Sequence, residues 1–345
     1  MKGKNLKLKI FLILITLILL ISLTLPACYF PPENILLLHR ESISGKGFHP
    51  NYFNYSQSIY IYDKYAYVAS FNDNTLSIFD ISDYTNPSHI STVEGTGTPD
   101  SLSGTYNLNV DGNLVYVTNL ITDDIAVFDI TDPTEPQLIS SSNEIESLEY
   151  LGSGQRLYVD GKYAYISTFG NNALSIFDIS DPTDPVHISS ISAELPPNYL
   201  RGSYSTYVDG NYAYVTGYHD DALFLFDIAD FVNPVLKGSI SGRGTPNYLN
   251  GATGIFVSGN FAYITAYHDD ALSIFNIRNP ESPVHVGSMI GSGSPNYLDG
   301  ASGVYVNGNY AYVTSYDDDT LSIFYIRNRT KPIHLNSING ITSMD

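Results

Sequence analysis

Tyr67, Tyr116, Tyr165, Tyr214, Tyr263 and Tyr312 follow one another at steps of 49 residues. Phe79, Phe128, Phe177, Phe226, Phe275 and Phe324 keep the same step, and so do Pro87, Pro136, Pro185, Pro234, Pro283 and Pro332. Three markers in register six times describe a chain of small repeated units, each relying on its neighbours to complete a core.

Within the fourth copy, Thr206–Val208 begins a strand and Asp209-Gly210-Asn211 makes a tight turn suited to antiparallel partners. Tyr212–Tyr218 returns, His219-Asp220-Asp221 turns again, Leu223–Ile228 forms a third strand, Asp230–Pro234 turns, and Val235–Ile240 forms a fourth. Aromatic and β-branched runs between turn formers favour pleats over helix. A four-stranded meander cannot bury both its faces alone. Meanders set around an axis do so and protect their edges, and a period of about 40 to 50 residues is typical of such blades. The expected fold is therefore all-β, a six-bladed β-propeller over 35–345, with repeats near 55–103, 104–152, 153–201, 202–250, 251–299 and 300–345.

Residues 35–54 read as one extra outer strand with its outgoing loop. Ser42–Gly47 echoes Ser239–Gly244, and Pro50-Asn51-Tyr52 echoes Pro246-Asn247-Tyr248. Lys331–Ile338 also reads as a fourth strand of the last blade, so two segments compete for that edge.

The amino terminus reads as an address. Lys2, Lys4, Lys7 and Lys9 precede an uncharged apolar run, Ile10–Leu25, and a small residue, Ala27, precedes Cys28. Residues 1–27 are thus expected to be a secretory signal and 28–34 a short tether. Leu25-Pro26-Ala27-Cys28 resembles the lipobox of bacterial lipoproteins, which implies lipid on Cys28, anchorage to a membrane, and export to the cell envelope or surface. Cys28 is the single cysteine, so no intrachain disulfide helps the fold. Without residues 1–27 the 16 basic residues fall to 12 against 35 acidic ones, a net charge of −23. Such a surface repels phosphate backbones, so no nucleic-acid partner is expected.

The third and fourth strands, as in Ala173-Leu-Ser-Ile-Phe-Asp-Ile-Ser-Asp-Pro-Thr-Asp-Pro-Val186, closely resemble the LVIVD repeat of bacteria and archaea. The resemblance spans all six units and implies a β-propeller of secreted or surface proteins. Asn276 and Tyr325 depart from the strand-ending Asp, and Arg278 and Arg327 alter the turn that follows.

Because strand direction alternates, the loops joining second to third strands share a rim with the loops joining one blade to the next. That rim collects His219, Asp220, Asp221, His268, Asp269, Asp270, Asp318 and Asp319 from the hairpin tips, and Tyr199, Tyr248 and Tyr297 from the interblade loops. A ligand platform for a protein or carbohydrate partner is one reading. The other is turn chemistry, because Asp, Asn and Gly tolerate left-handed backbone and bond their own main chain. No cofactor or metal is expected, calcium being the one cation such oxygen-rich tips would suit. His89, His187, His285 and His334 share one fourth-strand slot through duplication, which does not point to zinc. Ile61, Val110, Val159, Val208, Val257 and Val306 on the innermost strands read as packing, and no nucleophile elbow, phosphate loop or His-Glu-x-x-His helix occurs. The residues therefore point to a non-catalytic binding or scaffolding lipoprotein. A metal-dependent hydrolase or lactonase and a purely structural envelope protein remain the alternatives.

Overall fold

A computed structural model describes residues 55–83, 86–95, 102–141, 151–192, 200–291, 294 and 297–339. The expected leader and tether, Cys28, the extra strand over 35–54 and Tyr199 lie outside the described residues. Among the described residues twenty-four strands form six sheets, each of four antiparallel strands in sequence order, over 56–94, 105–141, 154–192, 203–241, 252–290 and 301–339. The fold class is the one expected, a six-bladed β-propeller.

The fourth blade shows how sequence becomes sheet. Ser203–Asp209 pairs with Tyr212–Gly217, which pairs with Ala222–Asp227, which pairs with Val235–Ser241. The first turn needs Gly210 at φ 58°, a left-handed angle open to glycine at no steric cost. The second strand ends one residue before the expected Tyr218. The Tyr218 N–H leaves the hairpin and donates to the Gly202 carbonyl at 2.9 Å.

Second and third strands are buried on both faces, which explains their near-continuous apolar runs. Phe79, Phe128, Phe226, Phe275 and Phe324 of the repeated ladder each sit at a β-bulge between third and fourth strands, as at Leu225/Phe226 and Ile274/Phe275. A bulge adds local twist and lets the outer strand turn away from the blade.

The chain packs as two compact units, one carrying blades 1 to 3 up to residue 190 and the other carrying residues 172–174 with blades 4 to 6. In the first unit Tyr67, Leu76 and Ile78 of blade 1 share a core with Leu108, Val110, Val117 and Phe128 of blade 2. Tyr116 and Val127 meet Leu157, Ile166 and Phe177 in the same way. In the second unit Tyr214 and Leu225 meet Val257, Ile264 and Phe275, and Tyr263 and Ile274 meet Val306, Val313 and Phe324. The Tyr of one blade and the Phe of the next thus share one core. This is why both ladders carry the same step. Each such side chain contributes about 1.5–3 kcal/mol by leaving water. Burial also pushes the phenols of Tyr67, Tyr116, Tyr214 and Tyr312 up to about 12, so they stay neutral.

Candidate functional site

Within each unit, hydrogen bonds tie the hairpin tip of one blade to the segment that opens the next. Asn74 Oδ1 accepts from the Gly104 N–H at 2.7 Å, and Asp123 Oδ1 from Ser153 N–H at 2.7 Å. In the other unit Asn172 accepts from Gly202 at 2.8 Å, Asp221 from Gly251 at 2.9 Å and Asp270 from Gly300 at 3.3 Å. Each bond runs from the tip of one blade to the start of the next. The accepting residue has φ between 49° and 53° in all five cases, and Asp319 keeps the same angle at 52°. That conformation favours Asn and Asp among residues with a side chain, and their oxygen then caps the next blade.

The preceding position caps its own blade. Asp220 Oδ2 accepts from Arg201 N–H at 2.8 Å, Asp269 Oδ2 from Asn250 N–H at 2.9 Å, and Asp318 Oδ2 from Asp299 N–H at 2.8 Å. Consecutive tip residues are therefore paired staples. Tyr248 and Tyr297 are anchors of similar kind. Both are half-buried with left-handed φ, 46° and 50°. The Tyr248 carbonyl accepts from Ser273 Oγ at 3.3 Å, and the Tyr297 carbonyl from Ser315 Oγ at 2.9 Å and Thr320 Oγ1 at 3.0 Å.

The histidines divide. In the fourth-strand slot, His285 Nε2 lies 2.8 Å from Ser288 Oγ, which lies 2.9 Å from Ser273 Oγ. His187 repeats this with Ser190 and Ser175, and His334 with Ser337 and Ser322. Each ring also meets its cross-strand Phe edge-on, at 5.2 Å for Phe177 and 5.6 Å for Phe275. Burial holds all three imidazoles below their ordinary range, which keeps them neutral. A Ser-His contact of this kind resembles a nucleophile and its base, but its recurrence beside a buried Phe in blade after blade marks it as packing. His219 and His268 are instead exposed on the rim.

Around His268 lie two tyrosines, Tyr218 and Tyr267, that the sequence reading did not place on the rim. Tyr218 Oη is 2.7 Å from His268 Nε2, and Tyr267 donates its O–H to Asp317 Oδ2 at 2.7 Å. Tyr204 stacks on Tyr218 with centroids 6.0 Å apart and planes 29° apart. The 49-residue register carried the signal: Phe71, Leu120, Phe169, Tyr218, Tyr267 and Tyr316 share one slot, which turns from apolar to phenolic at the fourth blade.

Charge changes along the rim as well. Arg201 pairs with Asp220 at 2.8 Å and Arg243 with Asp221. The slot of Arg201 becomes Asn250 and then Asp299. Asp270 and Asp299 consequently have pKa values raised, first by burial and then by neighbouring acids, Asp317 and Asp318 among them. Among the described residues no three His, Cys, Asp or Glu groups are arranged to hold a metal ion. On the innermost strands Tyr207, Phe256 and Tyr305 follow one another ring to ring at 5.2 and 5.1 Å, and Val110, Val208, Val257 and Val306 are buried.

Comparison with known proteins agrees with this architecture. The LVIVD repeat matches residues 54–94, 104–144, 151–192, 203–241, 251–290 and 300–339. No curated protein matches the sequence. Among solved structures, a protein from Lactobacillus plantarum is 15% identical with a TM-score of 0.68, over 85% of this chain and 86% of that one. A periplasmic gluconolactonase from Pseudomonas aeruginosa is 14% identical with a TM-score of 0.65, over 84% and 86%. A functionally unknown protein from Desulfotomaculum acetoxidans is 14% identical with a TM-score of 0.62, over 81% and 85%. At such identities the likeness is one of fold.

Proposed function

This chain belongs to the LVIVD-repeat family, and from that premise we propose that it is a non-catalytic binding or scaffolding protein of the cell envelope. It is exported by the segment over 1–27, held at a membrane through lipid on Cys28, and offers its acidic, tyrosine-rich rim to a protein or carbohydrate partner. One observation carries the reading. The repeated polar groups, the tip acids and the Ser-His pairs alike, are engaged in joining strand to strand and blade to blade, while the slot after the second strand changes character from blade to blade. A scaffold held constant beneath a varied surface is the form of a binding module.

The gluconolactonase name belongs to that neighbour. Fold likeness carries no chemistry, and the Ser-His pairs sit inside blades with their rings against phenylalanine. The test is a turnover assay of the purified chain with lactone, ester and glycoside substrates, with and without calcium or zinc. No turnover and no metal-dependent rise in melting temperature are expected. Turnover that disappears on mutating His285 and Ser288 would establish an enzyme instead.

A further inference from the structure

We propose that the rim of blades 4 to 6 carries a glycan-binding track built from Tyr204, Tyr218, His268, Tyr267 and Asp317, which takes uncharged or amino sugars and rejects anionic polysaccharide. The inference rests on the binding-module reading and gives that reading a place and a ligand class.

The fold does not need these residues. The staple that joins blades is present in every blade pair described above, whatever stands beside it. In blade 2 the two slots are Leu120 and Ile121, and Ile121 is 63% exposed; in blade 3 they are Phe169 and Gly170. Only at the fourth blade do they become Tyr218-His219, then Tyr267-His268, then Tyr316-Asp317. Phenol, imidazole and carboxylate are thus added on top of a scaffold that works without them.

Their arrangement fixes the rings. The Tyr218 hydroxyl meets the imidazole of the next blade at 2.7 Å, and the Tyr267 hydroxyl meets the carboxylate of the next blade at 2.7 Å. Tyr204 backs Tyr218 from the innermost strand, and the His268 ring meets Tyr267 at 5.2 Å with planes at 88°. Aromatic rings held in place by hydrogen bonds lose little freedom when a ligand arrives. Glycine clears the space beneath. A Cβ on Gly251 would approach His268 Cδ2 to 2.8 Å, and one on Gly300 would approach Asp317 Oδ2 to 2.8 Å.

The chemistry selects the ligand. A pyranose has an apolar C–H face that packs on a phenol ring, and hydroxyls at its edge that donate to carboxylate or imidazole. Asp299 and Asp318 beside the track add negative charge, which repels uronic acids and sulfated sugars and attracts an ammonium group.

Isothermal titration of the full chain in detergent tests this, with chitohexaose and its deacetylated form as probes, cellohexaose as an uncharged alternative, and polygalacturonate as the anionic control. At least one of the first three should bind, polygalacturonate should not, and Tyr218→Ala and Tyr267→Ala should each weaken binding by roughly tenfold or more. Tyr267→Phe, which keeps the ring, should lose less, and Ile121→Ala in blade 2 should lose nothing. Unchanged melting curves show that the variants fold. The proposal is overturned if none of the three sugars binds, if the double alanine variant binds as the parent does, or if polygalacturonate binds equally well. Absence of sugar binding together with cross-links from the Tyr316 rim to a cellular protein would sink the glycan track alone. Absence of both would sink the binding-module reading with it.

Discussion

Asp221 Oδ1 accepts a hydrogen bond from the backbone N–H of Gly251 at 2.9 Å, from the tip of the fourth blade to the start of the fifth. The same slot holds Asn74, Asp123, Asn172 and Asp270, each bonded to the following blade. An amide serves as well as a carboxylate because the donor is a neutral N–H and the shared need is a left-handed backbone with an oxygen three bonds beyond Cα.

Asp221→Asn is accordingly expected to change stability little, whereas Asp221→Ala should cost about 1–2 kcal/mol through a lost cap on a buried N–H. Urea denaturation of the two variants compares them. Equal loss in both would assign the effect to the Arg243 ion pair instead.

The shared Tyr-Phe cores lead to a larger effect. Phe275 is fully buried against Tyr214 and Leu225 of the preceding blade. Phe275→Ala should destabilise by about 3–5 kcal/mol, as expected for a deleted aromatic side chain in a packed core. His285→Ala, which removes only the half-buried ring that meets Phe275 edge-on from its own blade, should cost far less in the same denaturation series.

Gly287 makes a different kind of contact. A Cβ there would lie 2.4 Å from the Arg329 carbonyl oxygen of the next blade, a backbone atom with little freedom to move. In blades 1 and 2 the matching slot holds Ser91 and Ser140, which donate to the Pro133 and Pro182 carbonyls at 2.6 and 2.7 Å. Gly287→Ala should therefore destabilise by about 1–3 kcal/mol through overpacking, and Ser91→Ala should lose only one hydrogen bond, about 1 kcal/mol. A neutral Gly287→Ala would show that the sixth blade can withdraw.

Two sets of carboxylates give opposite pH dependences. Asp129, Asp178 and Asp227 are held below the usual carboxylate range by hydrogen bonds from the residue two positions on. Their stabilisation is present above the unfolded-state pKa and disappears as pH falls through the lower folded value. Asp270 and Asp299 are raised, so their contribution is full below the unfolded-state pKa and is lost as pH rises through the folded value. Asp299→Asn should raise the melting temperature at pH 7 and make no such difference at pH 3. A gain of equal size at both pH values would contradict the electrostatic cause.

Much of the fold was legible because a repeat exposes its own rules. The Tyr and Phe ladders marked the shared cores, and the Asp-Gly and Asp-Asp turns marked both ends of the blades. The departure at Asn276 is also explained: its Oδ1 still accepts from Arg278 N–H at 3.0 Å, so the turn survives without the charge. At Tyr325 the turn also persists, with Lys331 N–H donating to the Asn328 carbonyl at 3.0 Å, and the ring in place of the carboxylate meets Tyr310 at 5.6 Å. The candidate rim was legible as a place and less so as chemistry. Asp220, Asp221, Asp269 and Asp270 admitted both a ligand and a turn reading, and which backbone N–H each oxygen reaches, 19 or 30 residues away, depends on how blades stack. Tyr218 and Tyr267 were passed over because attention to what repeats hides what changes within the repeat.

The rim of blades 4 to 6 as the binding surface is tested most directly by photo-cross-linking on intact cells. One photoreactive residue replaces Tyr316, 42% exposed on the rim, and in a second strain another replaces Val232, 64% exposed at the far end of its blade. Adducts to an envelope protein or polysaccharide are expected from position 316 and not from position 232. Adducts from 232 alone, or equal yields from both, would contradict the account.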